Sequence, residues 1–536
     1  MGSTTPDTLT WYCIRRNGVA RSSGWIPSVP LKDLRKRIRA RPTDAIEVCI
    51  AERFDPVDTT QFSRVFCNRV RGILGMEATF QGEVVRFAPT RMIAANSSFQ
   101  RALEGFLEKK GASLDEFLAS GKLRSFTGQQ FLLPGRKNAK PVALYRGSTL
   151  VEQATDGEPG PAAALANDIG QWFLRNMSND GALPYKYWPS RGLGSAADNA
   201  IRRFLGTLAI TRLGELNASQ SLLDAAQRNL RFNLKRYFKD IGKGRGAIVE
   251  NTGAKLGAAA LAALAIMESP ARAEFTQELA KLAAGIESMV DDKNGFRTFF
   301  FPAERDGENW NFYSGEALLF WAAALHRGES FAPTLEQCLA VFKCCRKKHL
   351  QKRNPAFVPW HTQACTLLFA HSGRREFAKF VLEMNDWLLS MQQSDGLPPD
   401  LLGRFYNPGR PDFGPPHAAS TGVYLEGLAD AVALAQALGD NTRHDAYELA
   451  IQRGLRSLRQ LQFRDQNDTF YISKKNRVLG ALRNEAYDNP VRVDSAAHAL
   501  LAAVKIQRPV KFDKLPDTGG ITGALRRTMS RLKPAG

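Results

Sequence analysis

Between residues 161 and 507 the chain alternates two kinds of helical segment, and that alternation constrains its fold more than any other feature. Apolar residues at helical spacing predict helices near 163–177, 196–214, 219–238, 252–269, 272–291, 313–327, 333–348, 359–371, 374–393, 417–438, 443–463 and 491–507. The even-numbered segments, such as TGAKLGAAALAALAIM and VDSAAHALLAAVKI, are rich in Ala and Gly and carry few charges around their circumference. The odd-numbered ones, such as GRREFAKFVLEMNDWLLSMQ and RHDAYELAIQRGLRSLRQLQ, are amphipathic and heavily charged. A helix that is apolar all round must be buried, whereas a striped helix turns its stripe inward and its charges to water. The twelve segments therefore make six helical hairpins, with six inner helices ringed by six outer ones. The fold class that follows is mainly α, an (α/α)6 toroid.

The connections are equally uneven. Most links from an inner helix to the next outer one are short (HSGRRE, ALGDNTRH), while links from outer to inner are longer and aromatic (DDKNGFRTFFFPAERDGENWNFYSG, SDGLPPDLLGRFYNPGRPDFGPPH). Long loops gathered at one end of a rigid ring, where the inner helices begin, describe a cup whose mouth holds binding residues. The plainer alternative is that they only cover the end of the ring.

Residues 1–150 have a different texture and read as a smaller mixed α+β domain, with β-type runs at Ala45–Ile50, Glu83–Phe87 and Val142–Tyr145 around a helical stretch from Ser98 to Leu118. The DGEPGP of Asp156–Pro161 sets a domain boundary between about 148 and 162. The formal net charge of +20 lies mostly outside the ring. Residues 1–150 hold 24 basic and 13 acidic side chains, the tail 508–536 holds 7 and 2, and the ring between them holds 42 and 38. An anionic membrane surface or an acidic partner is thus expected at the basic ends. In the tail, Ile521, Leu525, Met529 and Leu532 recur at helical spacing with Arg526, Arg527, Arg531 and Lys533 between them, which suits an anionic surface. The basic run Leu31–Arg41 places Leu34 and Ile38 on one side of a helix and reads as a solvated face, with no specific nucleic-acid site.

No run of about 18 uncharged apolar residues occurs, and the first residues, with Asp7 early and Arg15 and Arg16 in the first apolar stretch, do not read as a secretory leader. Seven scattered cysteines without a CxxC pair support neither a zinc site nor a disulfide framework, so a cytoplasmic location is expected, with membrane association through the tail. The GKGRG of residues 242–246 lacks the strand-to-helix context of a phosphate loop, and no cofactor or metal is called for.

Polar residues collect where the inner helices start. The candidates are Asp198, Asn199, Arg202 and Arg203; Glu250, Asn251 and Lys255; Glu308, Asn309, Trp310, Tyr313 and Glu316; Trp360 and His361; Asp412, His417 and Tyr424; and Asp494 and His498, with Tyr187 and Trp188 in the first long loop. Three of the seven histidines, His361, His417 and His498, thereby share the mouth, and imidazole is the side chain poised for proton transfer near neutral pH. Glycoside hydrolysis instead needs two carboxyl groups across the scissile bond. Asp198, Glu250, Glu308, Glu316, Asp412 and Asp494 are the acids available for that, although acids at helix starts also serve as ordinary caps.

The twelve-helix alternation over residues 161–507 resembles the six-hairpin toroids of carbohydrate-active enzymes, among them glycoside hydrolases, glycuronyl hydrolases, polysaccharide lyases and the N-acylglucosamine 2-epimerase group. One fold hosts many chemistries. The resemblance implies a saccharide partner, bound in the cup. The start of the eighth segment, PWHTQACTLLFA, is similar to the Pro-x-His opening of that helix in the 2-epimerase group, which implies catalytic roles for His361, for His498 on the twelfth segment, and for Arg202 or Arg203 on the second. The match departs where Thr362, Gln363 and Ala364 replace the acidic and aromatic residues of the group, and where Ala496 and Ala497 precede His498. The expected function is a carbohydrate-active enzyme working by acid/base proton transfer, as in sugar epimerases and isomerases or glycoside hydrolases. The alternative is a non-catalytic assembly protein that uses the ring as a scaffold.

Overall fold

The computed structural model describes residues 9–136, 139–152 and 161–512. Most of the sequence around the expected boundary, and the basic amphipathic segment of the tail, lie outside the described residues.

In the N-terminal region the strands β1 (Leu9–Arg16), β2 (Val19–Pro27), β3 (Ala45–Val57), β4 (Gly75–Phe80), β5 (Glu83–Phe87), β6 (Lys122–Leu133) and β7 (Val142–Leu144) form one antiparallel sheet. Its order is β2-β1-β3-β6-β4-β5, with β7 paired to β6. Short helices α1 (Leu31–Arg37), α2 (Phe62–Val65), α3 (Pro89–Ala95), α4 (Phe99–Leu107) and α5 (Leu114–Ser120) pack around it. The single helix expected over Ser98–Leu118 is two. Gly111 at φ +66° ends the first, in a conformation that glycine adopts without steric cost. Ser113 then starts the second through a reciprocal capping box with Glu116. The basic run keeps Leu34 fully buried in α1 and turns Lys32, Lys36 and Arg37 to solvent.

All twelve ring helices are present: α6 (Pro161–Asn176), α7 (Ala200–Leu216), α8 (Gln220–Tyr237), α9 (Leu256–Glu268), α10 (Thr276–Glu287), α11 (Trp310–Arg327), α12 (Leu335–Gln351), α13 (Val358–Ser372), α14 (Arg375–Leu389), α15 (Ala418–Ala437), α16 (Asn441–Leu461) and α17 (Val493–Gln507). The inner helices α7, α9, α11, α13, α15 and α17 each pack on the next, and α17 returns to α7 to close the ring. Each has an amphipathic partner outside it, with α6 lying on α17. Burial follows the composition: in α9 every residue from Leu256 to Met267 is buried. Small residues set the spacing. A methyl group on Gly422 of α15 would lie 2.8 Å from the backbone nitrogen of Ala499 on α17.

The far end of the ring is closed by charge. Arg212 of α7 makes a bidentate bond to Glu268 of α9 (2.8 and 2.9 Å), and Lys505 of α17 meets Asp430 of α15 at 2.5 Å. Arg212 also feels Glu426 and Asp430 on the non-adjacent α15, so it points across the ring axis. These charges are paired, as burial requires, and they give the ring a polar floor.

The predicted start of the fourth segment falls in a β-hairpin instead. Strands Phe238–Gly242, Arg245–Glu250 and Gly253–Lys255 extend toward Phe299–Phe301, and GKGRG supplies the tight turn between the first two. The N-terminal region docks on the long loops of the ring. Arg146, in the turn after β7, forms a buried bidentate pair with Asp400 (2.6 and 3.3 Å), and Asn489 donates to the carbonyl of Ile93 at 2.6 Å. At Gly18, in the β1–β2 turn, an added Cβ would sit 2.2 Å from the carbonyl oxygen of Ile472, so the sheet approaches the ring backbone to backbone.

Candidate functional site

At the end of the ring where the inner helices begin lies a cavity of about 540 Å³, and all six of those helices contribute to its wall. Its base is apolar (Leu205, Leu261, Val423), and its rim carries aromatic residues from α11 and α13 and from the loop between α14 and α15: Phe312, Tyr313, Trp360, Phe405, Tyr406 and Phe413. Pockets of this size, apolar with a few convergent polar groups, are typical of small-molecule sites.

The polar groups come mainly from the first turns of α7, α15 and α17. Asp494 and His498 are one turn apart on α17 and share a face. Burial opposes ionisation of Asp494, yet the guanidinium groups of Arg202 (2.8 Å) and Arg492 (3.0 Å) outweigh it and hold the carboxyl below the usual range. Arg202 also donates to the hydroxyl of Tyr185. His498 stands edge-on to Trp360, with ring centroids 5.9 Å apart, and its Nδ1 lies 2.6 Å from Oε1 of Glu426, a buried acid of α15. A carboxylate only accepts, so Nδ1 carries the proton in this bond, and in the neutral imidazole the lone pair is on Nε2.

His417 caps α15. Its Nδ1 accepts the backbone N–H of Ser420 at 2.9 Å, which places the ring proton on Nε2. Burial and the charges of Arg492 and Arg202 lower its pKa to about 4, so it is neutral near pH 7. Glu316 of α11 is the opposite case. Burial raises its pKa to about 8, and its Oε2 has no hydrogen-bond partner, so the carboxyl is protonated at neutral pH. Burial also raises Tyr313, one turn earlier, and the Glu316 charge adds to that.

Of the expected residues, Arg202, Glu316, Asp494, His498, Asn199, Lys255, Asn309, Tyr313, Trp360, His417 and Tyr424 line the cavity. The others do not, and each has another task. His361, expected at the mouth, is fully buried between helices: its ring stacks on Phe357 at 3.4 Å, and its Nδ1 is bonded to the carbonyl of Phe357 at 3.0 Å. Burial pushes its pKa down to about 3, so it is a neutral core residue and the helix-eight half of the expected pair is absent from the cup. Glu250 accepts the N–H of Ala200 at the start of α7 and pairs with Lys255. Asp198 and Arg203 pair with each other; Tyr237 also bonds Asp198, and Arg203 donates to the carbonyl of Leu183 as well. Trp310 donates to the carbonyl of Asn294 and is covered by Lys348. Asn251 occupies the hairpin turn at φ +54°. Tyr187 and Trp188 belong to a short strand that pairs with Asp488–Arg492, and neither of them lines the cavity. Glu308 and Asp412 are surface partners of Arg305 and Arg410.

Sequence reasoning missed Glu426, Arg492 and Tyr185. Glu426 had a signal, being an acid within the otherwise apolar VYLEGLADAVALA, where a charge needs a buried partner.

No protein-family model matches the sequence, and no curated protein matches it significantly. Solved structures with similar architecture include a cellobiose 2-epimerase from Bacillus thermoamylovorans (10% identity, 65% of this chain and 98% of that one, TM-score 0.46). An inactive variant of an α-1,6-mannanase from a Salegentibacter species, in complex with α-1,6-mannotriose, aligns with 10% identity over 65% and 99% of the two chains at a TM-score of 0.45. An unsaturated glucuronyl hydrolase specific for heparin aligns with 12% identity over 65% and 96% at 0.43.

Proposed function

We propose that the protein is a carbohydrate-active enzyme that binds a saccharide in the cup and moves a proton on it, as a sugar epimerase or isomerase does. The observation that carries this reading is the His498–Glu426 pair at the wall of the aromatic cavity, one helical turn from Asp494 and its two guanidinium groups. With Nδ1–H held by Glu426, Nε2 of His498 is free to take the proton from the carbon next to an open-chain sugar carbonyl. The buried carboxylate stabilises the imidazolium that forms. Arg202 and Arg492 offer fixed positive charge to the enediolate-like oxyanion, and the apolar base strengthens that interaction by excluding water. Neutral His417, with its proton on Nε2, and protonated Glu316 are the donors available for returning a proton to the opposite face. The rim aromatics suit the apolar faces of sugar rings.

Glu316 also favours a second reading, glycoside hydrolysis, because a carboxyl neutral at pH 7 is what a general acid requires. Asp494 would then be the second carboxylate, but two guanidinium groups make it a weak base and nucleophile, which supports proton transfer over hydrolysis. A cavity equipped in this way supports an enzyme over a non-catalytic scaffold.

Incubation with a panel of mono- and disaccharides in D2O, followed by NMR, tests the proposal. Epimerisation or isomerisation through His498 incorporates solvent deuterium next to the carbonyl, whereas hydrolysis creates new reducing ends without it. Replacing His498→Asn should abolish exchange, and Glu426→Gln should lower kcat by roughly 10²–10⁴ with little change in KM. Undiminished activity in His498→Asn refutes the role of the pair.

A further inference from the structure

Independently of the cup, the geometry points to a second binding site, for a sugar-sized molecule bearing a phosphate or carboxylate group, in the cleft between the N-terminal sheet and the ring. This cleft has a volume of about 600 Å³, within the range of small-molecule sites. One wall comes from β1, β2 and α3, and the other from the Pro189–Leu193 turn and the Tyr471–Lys474 segment.

Its charge is one-sided. Arg91, Arg191 and Lys474 enter it from three separate segments, and no carboxylate lies among its lining residues. Among the described residues none of these cations has a carboxylate partner: Lys474 Nζ donates only to the carbonyl of Gly192 (3.1 Å), and Arg91 sits over the ring of Phe87. Elsewhere on this protein surface arginines are commonly paired with acids, as Arg231 with Glu274 and Arg410 with Asp412. Arg15, also lining the cleft, is the exception that sharpens the contrast, since the fully buried Glu47 neutralises it at 2.6 Å. Unpaired cations converging on a concave surface from both sides form a focused positive potential that an oxyanion would satisfy.

The remaining polar groups favour a hydroxylated body over a bare ion. Ser23, Ser190 and Ser473 border the cleft, and a serine hydroxyl can both donate and accept a hydrogen bond. A single phosphate would fill only a small part of this volume. A hexose-sized molecule that touched both walls would hold the N-terminal region and the ring together.

Calorimetric titration of the full chain at low ionic strength tests this, using glucose 6-phosphate, glucuronate, inorganic phosphate and glucose as probes. The expected result is saturable, salt-sensitive binding of glucose 6-phosphate or glucuronate and, with the cup disabled by Trp360→Ala, none of glucose; which of the two binds identifies the anionic group. Arg91→Gln and Lys474→Gln, both at exposed positions, should each weaken that binding about tenfold without shifting the thermal midpoint of the free protein. The cup variant Trp360→Ala should leave it unchanged. Three outcomes overturn the proposal: no saturable binding of either anionic sugar, binding insensitive to Arg91→Gln and Lys474→Gln, or loss of binding in Trp360→Ala. Equal affinity for inorganic phosphate overturns the part that specifies a sugar body.

Discussion

The buried pair of Arg146 and Asp400 offers a sharp test of how the two parts of the chain depend on each other. Arg146 is 1% and Asp400 2% exposed at the side chain, and the guanidinium also donates to the carbonyls of Arg69 (2.9 Å) and Arg71 (2.5 Å). Asp400 opens the stretch that carries Phe405, Tyr406 and Phe413 into the cup, so one ion pair ties the N-terminal sheet to the aromatic wall. Replacing Asp400→Ala leaves a guanidinium buried with two neutral acceptors and no counter-charge. Breaking a buried pair in this way costs about 3–5 kcal/mol. Asp400→Asn keeps the shape and one acceptor and should cost roughly 1–3 kcal/mol. Replacing both partners, Arg146→Met with Asp400→Leu, removes the uncompensated charge and should bring stability back to within about 1–2 kcal/mol of the parent. Chemical denaturation gives the stabilities. Hydrogen exchange should show the loss of protection concentrated in residues 67–72 and 398–414. A cost below about 1 kcal/mol for Asp400→Ala, or a double variant that loses the sum of the two singles, would refute the reasoning, because neither fits a buried, coupled charge pair.

Two pH dependences follow from the buried groups. The folded-state pKa of Glu316, about 8, lies above its ordinary 4.5, so between these values the folded protein holds a proton that the unfolded chain has lost. Stability from this group is present below pH 4.5 and declines as pH rises toward 8; Glu316→Gln should flatten that decline in denaturation midpoints measured from pH 5 to 8. His417 and His349 at about 4 and His361 at about 3 have the opposite sign, all three lowered chiefly by burial from an ordinary 6.5. Their contribution is full above pH 6.5 and is lost as pH falls through the folded-state values, so stability should drop from pH 7 to pH 4, and His349→Phe should reduce that slope by up to one proton.

The cup shows where sequence reasoning loses its grip. His361 and His498 are the same residue type and both lie near the start of an inner helix, in its first and second turns. They differ in angle. On α13 it is Trp360 that turns to the cavity, while His361 turns between the helices onto Phe357; on α17 the rotation brings His498 inward beside Asp494. In a helix that is apolar all round no stripe marks which face is which, so composition could not rank the two. Glu250 and Asp198 were misplaced for a related reason: an acid at a helix start suits a cap as well as a site, and which it is depends on where the neighbouring hairpin runs.

By itself the sequence determined the ring and its polarity. Alternating apolar and striped helices can satisfy burial in few ways, and the unequal loops set the open end. It also determined that the ring is nearly balanced in charge and that the excess lies at the ends of the chain. Tertiary structure alone decided which polar residues meet, because that depends on helix rotation and on contacts between residues far apart in the chain. Through such contacts Glu426 reaches His498 and Arg202 reaches Asp494. The same kind of contact, made by Arg146 from the N-terminal region to Asp400, anchors the stretch whose aromatic residues complete the cup.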